Sequence, residues 1–280
     1  MYLQKNSFQQ YCINTLKGIS QVMLIENIYT GLLFSFGVLF ASLSMGFAMI
    51  FATLFATYFA NKISLDKDKI NSGLYGFNAA LLGVAVVLFF GLNLFSIVLI
   101  VFGSIVTVLL QEFFMKKKLA FFTFPFIATT WLFLAIFDKS SANSEVRFDE
   151  NLNLFSTIFK GFSEVFLQDS VVTGILFFIA IFIASKKASF FALFFGFLAS
   201  FFAYILGFNL SEINLGLFAY NTVLCSMFVV GLKEKIFLYG FLALVLALII
   251  QIIFIKLNFV ALTFPFVLTC FLILYFKEKI

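Results

Sequence analysis

Thr123-Phe124-Pro125-Phe126, with Thr129 three positions on, returns 140 residues later as Thr263-Phe264-Pro265-Phe266, with Thr269 three positions on. These two phrases hold the only prolines of a 280-residue chain. A matched pair at half the chain length marks an internal duplication. Further correspondences follow at an offset of 143. Ile70, Asn71, Gly73, Leu74, Asn78 and Leu81 recur as Ile213, Asn214, Gly216, Leu217, Asn221 and Leu224. Near the start of each half, Lys17-Gly18-x-Ser20-Gln21-Val22 becomes Lys160-Gly161-x-Ser163-Glu164-Val165. Glu26 is answered by Asp169, and Thr30-Gly31 by Thr173-Gly174. A three-residue deletion in the second half brings the offset from 143 to 140. The expected organisation is a first repeat over 1–139 and a second over 140–280.

Composition fixes the solvent. The chain is 63% hydrophobic and 11% charged, with a mean hydropathy of +1.13. That leaves too little polar surface to coat a soluble core. The fold class expected is an all-α polytopic membrane protein in which most of the 47 phenylalanines face lipid. Apolar runs predict five spans per half, at 29–44, 46–61, 73–91, 94–114 and 119–137, then 171–185, 188–206, 216–231, 235–256 and 259–276. Several fall short of the roughly 20 residues that a full crossing needs, so their ends are soft. An amphipathic segment precedes each set, at about 8–23 and 151–168. Each is read as a re-entrant half-helix, because broken backbone is tolerated at membrane depth where it lines a cavity. A helix lying in the interface is the open alternative.

Charge gives the orientation. With the N-terminus in the cytoplasm, 14 of the 18 basic residues fall on the inner side, and Lys139, Arg147, Lys160 and Lys256 on the outer. This satisfies the positive-inside rule, so both termini are expected in the cytoplasm and the protein in the plasma (inner) membrane. The net charge of +5 reflects that orientation and not a nucleic-acid partner. Five spans per repeat would also invert the second repeat relative to the first, an arrangement that puts a substrate site near the bilayer midplane.

Other chemistry is absent from the chain. It has no histidine, so histidine proton relays and histidine metal sites are excluded. Cys12, Cys225 and Cys270 show no metal-ligand spacing and read as packing residues, so no metal or other cofactor is expected. No phosphate-binding loop appears, and the longest polar stretch, about 138–154, reads as an outer connector. Residues 1–28 are too polar for a cleavable leader. The protein is therefore not expected to be an enzyme. Within the spans ionisable groups are almost missing, although they would be the default sign of ion coupling. Glu164 stands out at the end of the second half-helix, and its counterpart Gln21 is neutral. One carboxylate and one amide in equivalent places suit a neutral polar solute better than a cation, which favours rings of acid.

Three of the duplicated motifs resemble those of the urea transporter family. They are Gly73-Leu74-Tyr75-Gly76-Phe77-Asn78-Ala79-Ala80-Leu81, the Phe-Pro-Phe-x-x-Thr phrase, and the Gly-x-x-Gln-Val phrase before the half-helix end. The resemblance covers essentially the whole chain and appears in both halves. It implies a homotrimer in membrane lipid, with one channel-like, passive urea pathway per protomer. Each repeat would contribute five transmembrane helices and one re-entrant half-helix, the two repeats inverted, with the pathway running between them. Carried over, Gln21 and Glu164 match the oxygen acceptors at the half-helix ends. Thr129 and Thr269 match the mid-pore threonines. Phe77 and Tyr220 match the aromatic walls of a flat slot, with Leu81 and Leu224 beside them. At Leu24 and Leu167 the family often has Phe, so the slot here is expected to be wider or less aromatic.

Urea itself fits that chemistry. It is planar and uncharged, with four N–H donors and one carbonyl. Stripped of water, each unpaired donor costs roughly 1–3 kcal/mol, so acceptors are needed along the path. Apolar rings on both faces exclude hydrated ions, whose desolvation they cannot offset. Simpler roles stay open for the same residues. Thr129 and Thr269 can bond back to their own helices. Asn78 and Asn221 suit a cap on a broken helix, and Pro125 and Pro265 a helix start or kink. Gln21 and Glu164 can join neighbouring helices. A channel for ammonia, water or short amides, or an ion-coupled transporter, are the other classes that the pattern admits.

Overall fold

The computed structural model describes residues 7–139 and 152–279; most of the connector at 138–154, with Arg147 and Asp149, lies outside them. All regular structure among the described residues is helical. The chain divides into two compact units, Met1–Ala142 and Asn143–Ile280.

The first unit runs α1 (Ser7–Gln21), α2 (Ile28–Ala41), α3 (Leu43–Lys62), α4 (Lys67–Asn71), α5 (Phe77–Phe90), α6 (Leu94–Lys116) and α7 (Phe124–Ile136). The second runs α8 (Leu154–Ser163), a 3-10 turn (Glu164–Phe166), α9 (Val171–Ala184), α10 (Lys186–Ile205), α11 (Leu210–Asn214), α12 (Tyr220–Leu232), α13 (Ile236–Lys256) and α14 (Phe264–Lys279). Four of these, α3, α6, α10 and α13, are long and apolar enough to cross a membrane alone. The α8 segment and α9 form a broken pair bent by 77°.

Every expected span contains a helix, but four of them begin late. Residues 73–76 and 216–219 form turns, and α5 and α12 start only at Phe77 and Tyr220. Likewise 119–123 and 259–263 are non-helical ahead of α7 and α14. Two short helices, α4 and α11, precede the first pair of turns and were not expected as separate elements. The cause is a glycine in the left-handed region, Gly73 (φ 81°) and Gly216 (φ 80°), a conformation in which a Cβ would be strained.

Polar residues end the apolar helices where hydropathy alone would let them run on. Ser42 closes α2, its N–H reaching the Val38 carbonyl at 2.8 Å, and its hydroxyl then accepts the Met45 N–H to open α3. Ser185, 143 positions later, does the same between α9 and α10. Between helices the packing depends on small residues. Ala48, Ala52, Ala56 and Ala60 make a buried stripe on α3. A Cβ added at Gly83 of α5 would lie 2.5 Å from the Ala48 carbonyl oxygen. Lipid tails are as apolar as the side chains, so close approach rather than water exclusion holds such helices together. Phe36, Phe40, Phe47 and Phe51 point outward, as the phenylalanine excess predicts.

Candidate functional site

In each unit the segment expected to be a half-helix ends in the same construction. In the first, α1 finishes at Gln21 and Leu24 adopts the left-handed conformation (φ 58°). The Leu24 N–H returns to the Gln21 carbonyl at 2.9 Å and the Ile25 N–H to the Ser20 carbonyl at 3.4 Å. Asn27 then caps α2 by accepting the Thr30 N–H at 3.0 Å. In the second, Leu167 (φ 55°) follows the 3-10 turn. Its N–H reaches the Glu164 carbonyl at 2.9 Å, and the Gln168 N–H reaches the Ser163 carbonyl at 3.2 Å. A non-glycine residue in this region costs roughly 1–2 kcal/mol. Both leucines therefore sit where hydrogen bonds on either side fix the turn, and each turn displays the side chain just before it. The Gln21 amide donates to the Ser72 carbonyl at 3.1 Å, so it does join two elements, while its Oε1 has no partner among the described residues. The Glu164 carboxylate accepts no hydrogen bond from a described residue, and both side chains are half-buried.

Glycines let the half-helix meet the turn before the next motif. A Cβ at Gly73 would fall 2.3 Å from the Gly18 nitrogen, and one at Gly216 would fall 2.6 Å from the Gly161 nitrogen. The two backbones cross there. Polar side chains tie the same crossing: Asn14 donates to Asn71 Oδ1 at 3.1 Å, and Thr157 donates to Asn214 Oδ1 at 3.1 Å. Positions 14 and 157, like 71 and 214, are 143 apart.

The asparagine and proline motifs are joined to each other. Pro125 is the second residue of α7 and has no N–H to leave unpaired there. The Phe124 N–H finds the Phe121 carbonyl at 2.8 Å, and the Ile127 N–H finds that of Thr123 at 3.1 Å. That leaves Phe126, whose N–H donates to Asn78 Oδ1 at 3.0 Å. The Asn78 amide donates in turn to the Phe122 carbonyl at 3.3 Å. Asn221 repeats this in the second unit, accepting the Phe266 N–H at 3.1 Å. The asparagines thus cap a helix, as the sequence allows, but the neighbour and not their own. Sequence reasoning missed a further pair, Gln111 and Gln251, both buried. Gln111 donates to the Leu74 carbonyl at 2.7 Å, and Gln251 accepts from Asn221 at 3.1 Å. The signal was present: each stands 14 residues before its proline.

The threonines differ from each other. Thr129 is buried and its hydroxyl donates back to the Pro125 carbonyl at 2.8 Å, leaving the oxygen lone pairs as its remaining capacity. Thr269 Oγ1 is buried with no partner among the described residues, and so is Thr130 Oγ1, where the second unit has Cys270. Phe77 is buried and stacks on Phe121, centroids 6.1 Å apart and planes 17° from parallel. The hydroxyl of Tyr220 is committed to the Leu262 carbonyl at 2.5 Å. Leu81 and Leu224 have no exposed surface. In the first unit α5 packs against both α1 and α7; in the second, α12 packs against the α8 segment and α14. The structure therefore sets the ten expected residues on adjoining elements within each unit; outside the helices, the hydrogen bonds between them are backbone ones, Leu24 to Gln21 and Leu167 to Glu164, while the side chains of Gln21, Thr129 and Tyr220 bond to the carbonyls of Ser72, Pro125 and Leu262. What the arrangement offers is acceptor oxygen, at Gln21, Glu164, Thr269 and Thr130, set among apolar walls.

Comparison with known proteins gives this architecture a family. The sequence profile of the urea transporter family matches residues 13–278. Urea transporter 1 of Rattus norvegicus is 25% identical over 242 residues, covering 78% of this chain and 62% of the relative. The chain therefore spans less than two thirds of that relative's length. With a family match running from the middle of α1 to the end of α14, the chain belongs to the urea transporter family.

Proposed function

We propose that the chain carries urea passively across the plasma (inner) membrane, down its gradient, through a narrow aromatic slot lined by oxygen acceptors. The two repeats, 1–139 and 140–280, have inverted topology in this reading, with both termini in the cytoplasm. The pathway is lined by Gln21, Thr129, Phe77, Leu81 and Leu24 from the first repeat, and by Glu164, Thr269, Tyr220, Leu224 and Leu167 from the second. The protein works as a homotrimer with one pathway per protomer.

The observation that carries this reading is the pair of half-helix ends, each with side-chain acceptor oxygen that has no partner among the described residues. Family membership supports urea as the donor-rich solute that such oxygens serve. Phe77 and Tyr220, from matching helix starts, supply the flat walls, and the Tyr220 hydroxyl, spent on Leu262, leaves its ring to act as a phenylalanine would. Acceptors at intervals replace water one bond at a time. No site is then deep enough to trap the solute.

Flux into proteoliposomes tests it. Urea should enter faster than thiourea, ammonia or water does through the same protein, and should stop at equal concentration whatever the proton or sodium gradient. Accumulation above equilibrium would make the protein a coupled transporter, and absence of urea flux would remove the reading altogether.

A further inference from the structure

The two aromatic residues proposed as walls of the pathway are held in different ways. In the second unit the Tyr220 hydroxyl donates to the Leu262 carbonyl at 2.5 Å, and the Asn221 amide donates to the same oxygen at 3.4 Å. That amide also donates to Gln251 Oε1 at 3.1 Å, while Asn221 Oδ1 accepts the Phe266 N–H at 3.1 Å. Tyr220, Asn221, Gln251 and Leu262 are all buried. The shared carbonyl belongs to a left-handed residue (φ 48°) in the non-helical stretch between α13 and α14. One edge of the Tyr220 ring is thereby knotted to α13, to the start of α14 and to the turn that joins them.

The first unit keeps most of these parts and makes a different arrangement of them. Its asparagine amide donates to the Phe122 carbonyl at 3.3 Å, as that of Asn221 does to Leu262. At the tyrosine's position stands Phe77, which has no hydroxyl to give. Gln111 turns its amide to the Leu74 carbonyl at 2.7 Å, and its Oε1 has no partner among the described residues. The Phe77 ring lies against Phe121 as a stack. A stack tolerates sliding, whereas a satisfied network of buried hydrogen bonds is rigid. Without Gln251 the Asn221 amide would keep only Leu262 at 3.4 Å, long for a bond of this kind, and the carbonyl and the ring edge could shift together.

We propose that Gln251 is a positioning residue for solute selection: through Asn221 and the shared Leu262 carbonyl it fixes the Tyr220 ring, so that one wall of the slot is rigid and limits the thickness of the solute that passes. Gln111, at the matching position, holds the turn ahead of Phe77 and takes no part in selection. This rests on the urea-pathway reading above. It gives two buried glutamines of the same register different functions, one read in selectivity and the other in stability alone.

N-methylurea is the probe, because its methyl hydrogens stand out of the plane and make it thicker than urea. Purified full-length protein in liposomes is assayed for uptake of both solutes, with assembly checked by size-exclusion elution and stability by thermal unfolding in detergent. The wild type should pass urea faster by roughly tenfold or more, the scale on which a shaped pocket sorts one extra methylene. Tyr220→Phe and Gln251→Leu should each narrow that ratio by about threefold or more. The double variant should narrow it no further than the stronger single change, because both act through one carbonyl. Gln111→Leu, which strands the Leu74 carbonyl, should lower the unfolding temperature as Gln251→Leu does and leave the ratio at the wild-type value. If Gln251→Leu does not assemble, Gln251→Met, closer in shape, takes its place. A folded Gln251 or Tyr220 variant that keeps the wild-type ratio overturns the proposal. So does a Gln111 variant that shifts the ratio as far as the Gln251 one, a double variant whose effects add, or a wild type that passes both solutes alike. A wild type that fails to carry urea removes the pathway reading instead, so the two failures are distinct.

Discussion

Asn78 Oδ1 accepts the backbone N–H of Phe126 at 3.0 Å, so the start of α7 is capped by a side chain from α5, 48 residues earlier. The second unit has the same bond between Asn221 and Phe266. Asn78→Leu should strand the Phe126 N–H inside the protein and cost roughly 1–3 kcal/mol. Asn221→Leu should cost more, because it also abandons Gln251. Thermal unfolding in detergent checks both, and variants as stable as the wild type would show the caps to be dispensable.

The threonines offer a way to separate stability from transport. Thr129→Val removes a hydroxyl that is bonded to Pro125, and should cost about 1 kcal/mol of stability. Thr269→Val removes a buried hydroxyl with no partner, and should leave stability unchanged or raised. Both should slow urea by about 5- to 150-fold if their oxygens serve the solute, since one lost bond at the highest barrier is worth roughly 1–3 kcal/mol. Urea entering both folded variants at the wild-type rate would release the threonines from the pathway.

Gly31 and Gly174 should tolerate no side chain. A Cβ at Gly31 would lie 2.0 Å from the Leu16 carbonyl oxygen, and one at Gly174 would lie 1.9 Å from that of Phe159. Both oxygens belong to half-helix backbone, which cannot move aside without shifting Gln21 or Glu164. Either Gly→Ala change should cost about 1–3 kcal/mol or more, read as lower yield and lower unfolding temperature. Normal yield and stability in either variant would show that the half-helix has room to retreat.

Orientation is open to labelling. In a background without Cys12, Cys225 and Cys270, a cysteine at Asp149 should react with an impermeant reagent in intact cells, and one at Glu278 should not. The reversed pattern would invert the assignment of both termini.

The sequence made some of this legible and hid the rest for physical reasons. Pro125 and Pro265 announce helix starts because a missing N–H is harmless only there. Gly73 and Gly216 are visible as repeated glycines, but the left-handed turn they make displaced α5 and α12 to Phe77 and Tyr220, since hydropathy is blind to φ. Asn78 was legible as a cap but not which helix it caps: capping is recognised locally, whereas this cap is supplied from another element. Gln111 and Gln251 went unread because a single amide inside a long apolar helix looks incidental until its partner carbonyl or amide is seen. The bond from the Tyr220 hydroxyl to the Leu262 carbonyl was likewise hidden, because its partner lies 42 residues further along the chain.

Four ties between motifs close within a unit: Asn14 to Asn71 and Asn78 to Phe126 in one, Thr157 to Asn214 and Asn221 to Phe266 in the other. A ribosome releasing this chain has therefore delivered both ends of every such bond in the first unit before the second begins. The first half can complete its internal knots while the other is still being made. An ancestor of half the length, before the gene was doubled, would have carried both ends of each of these bonds.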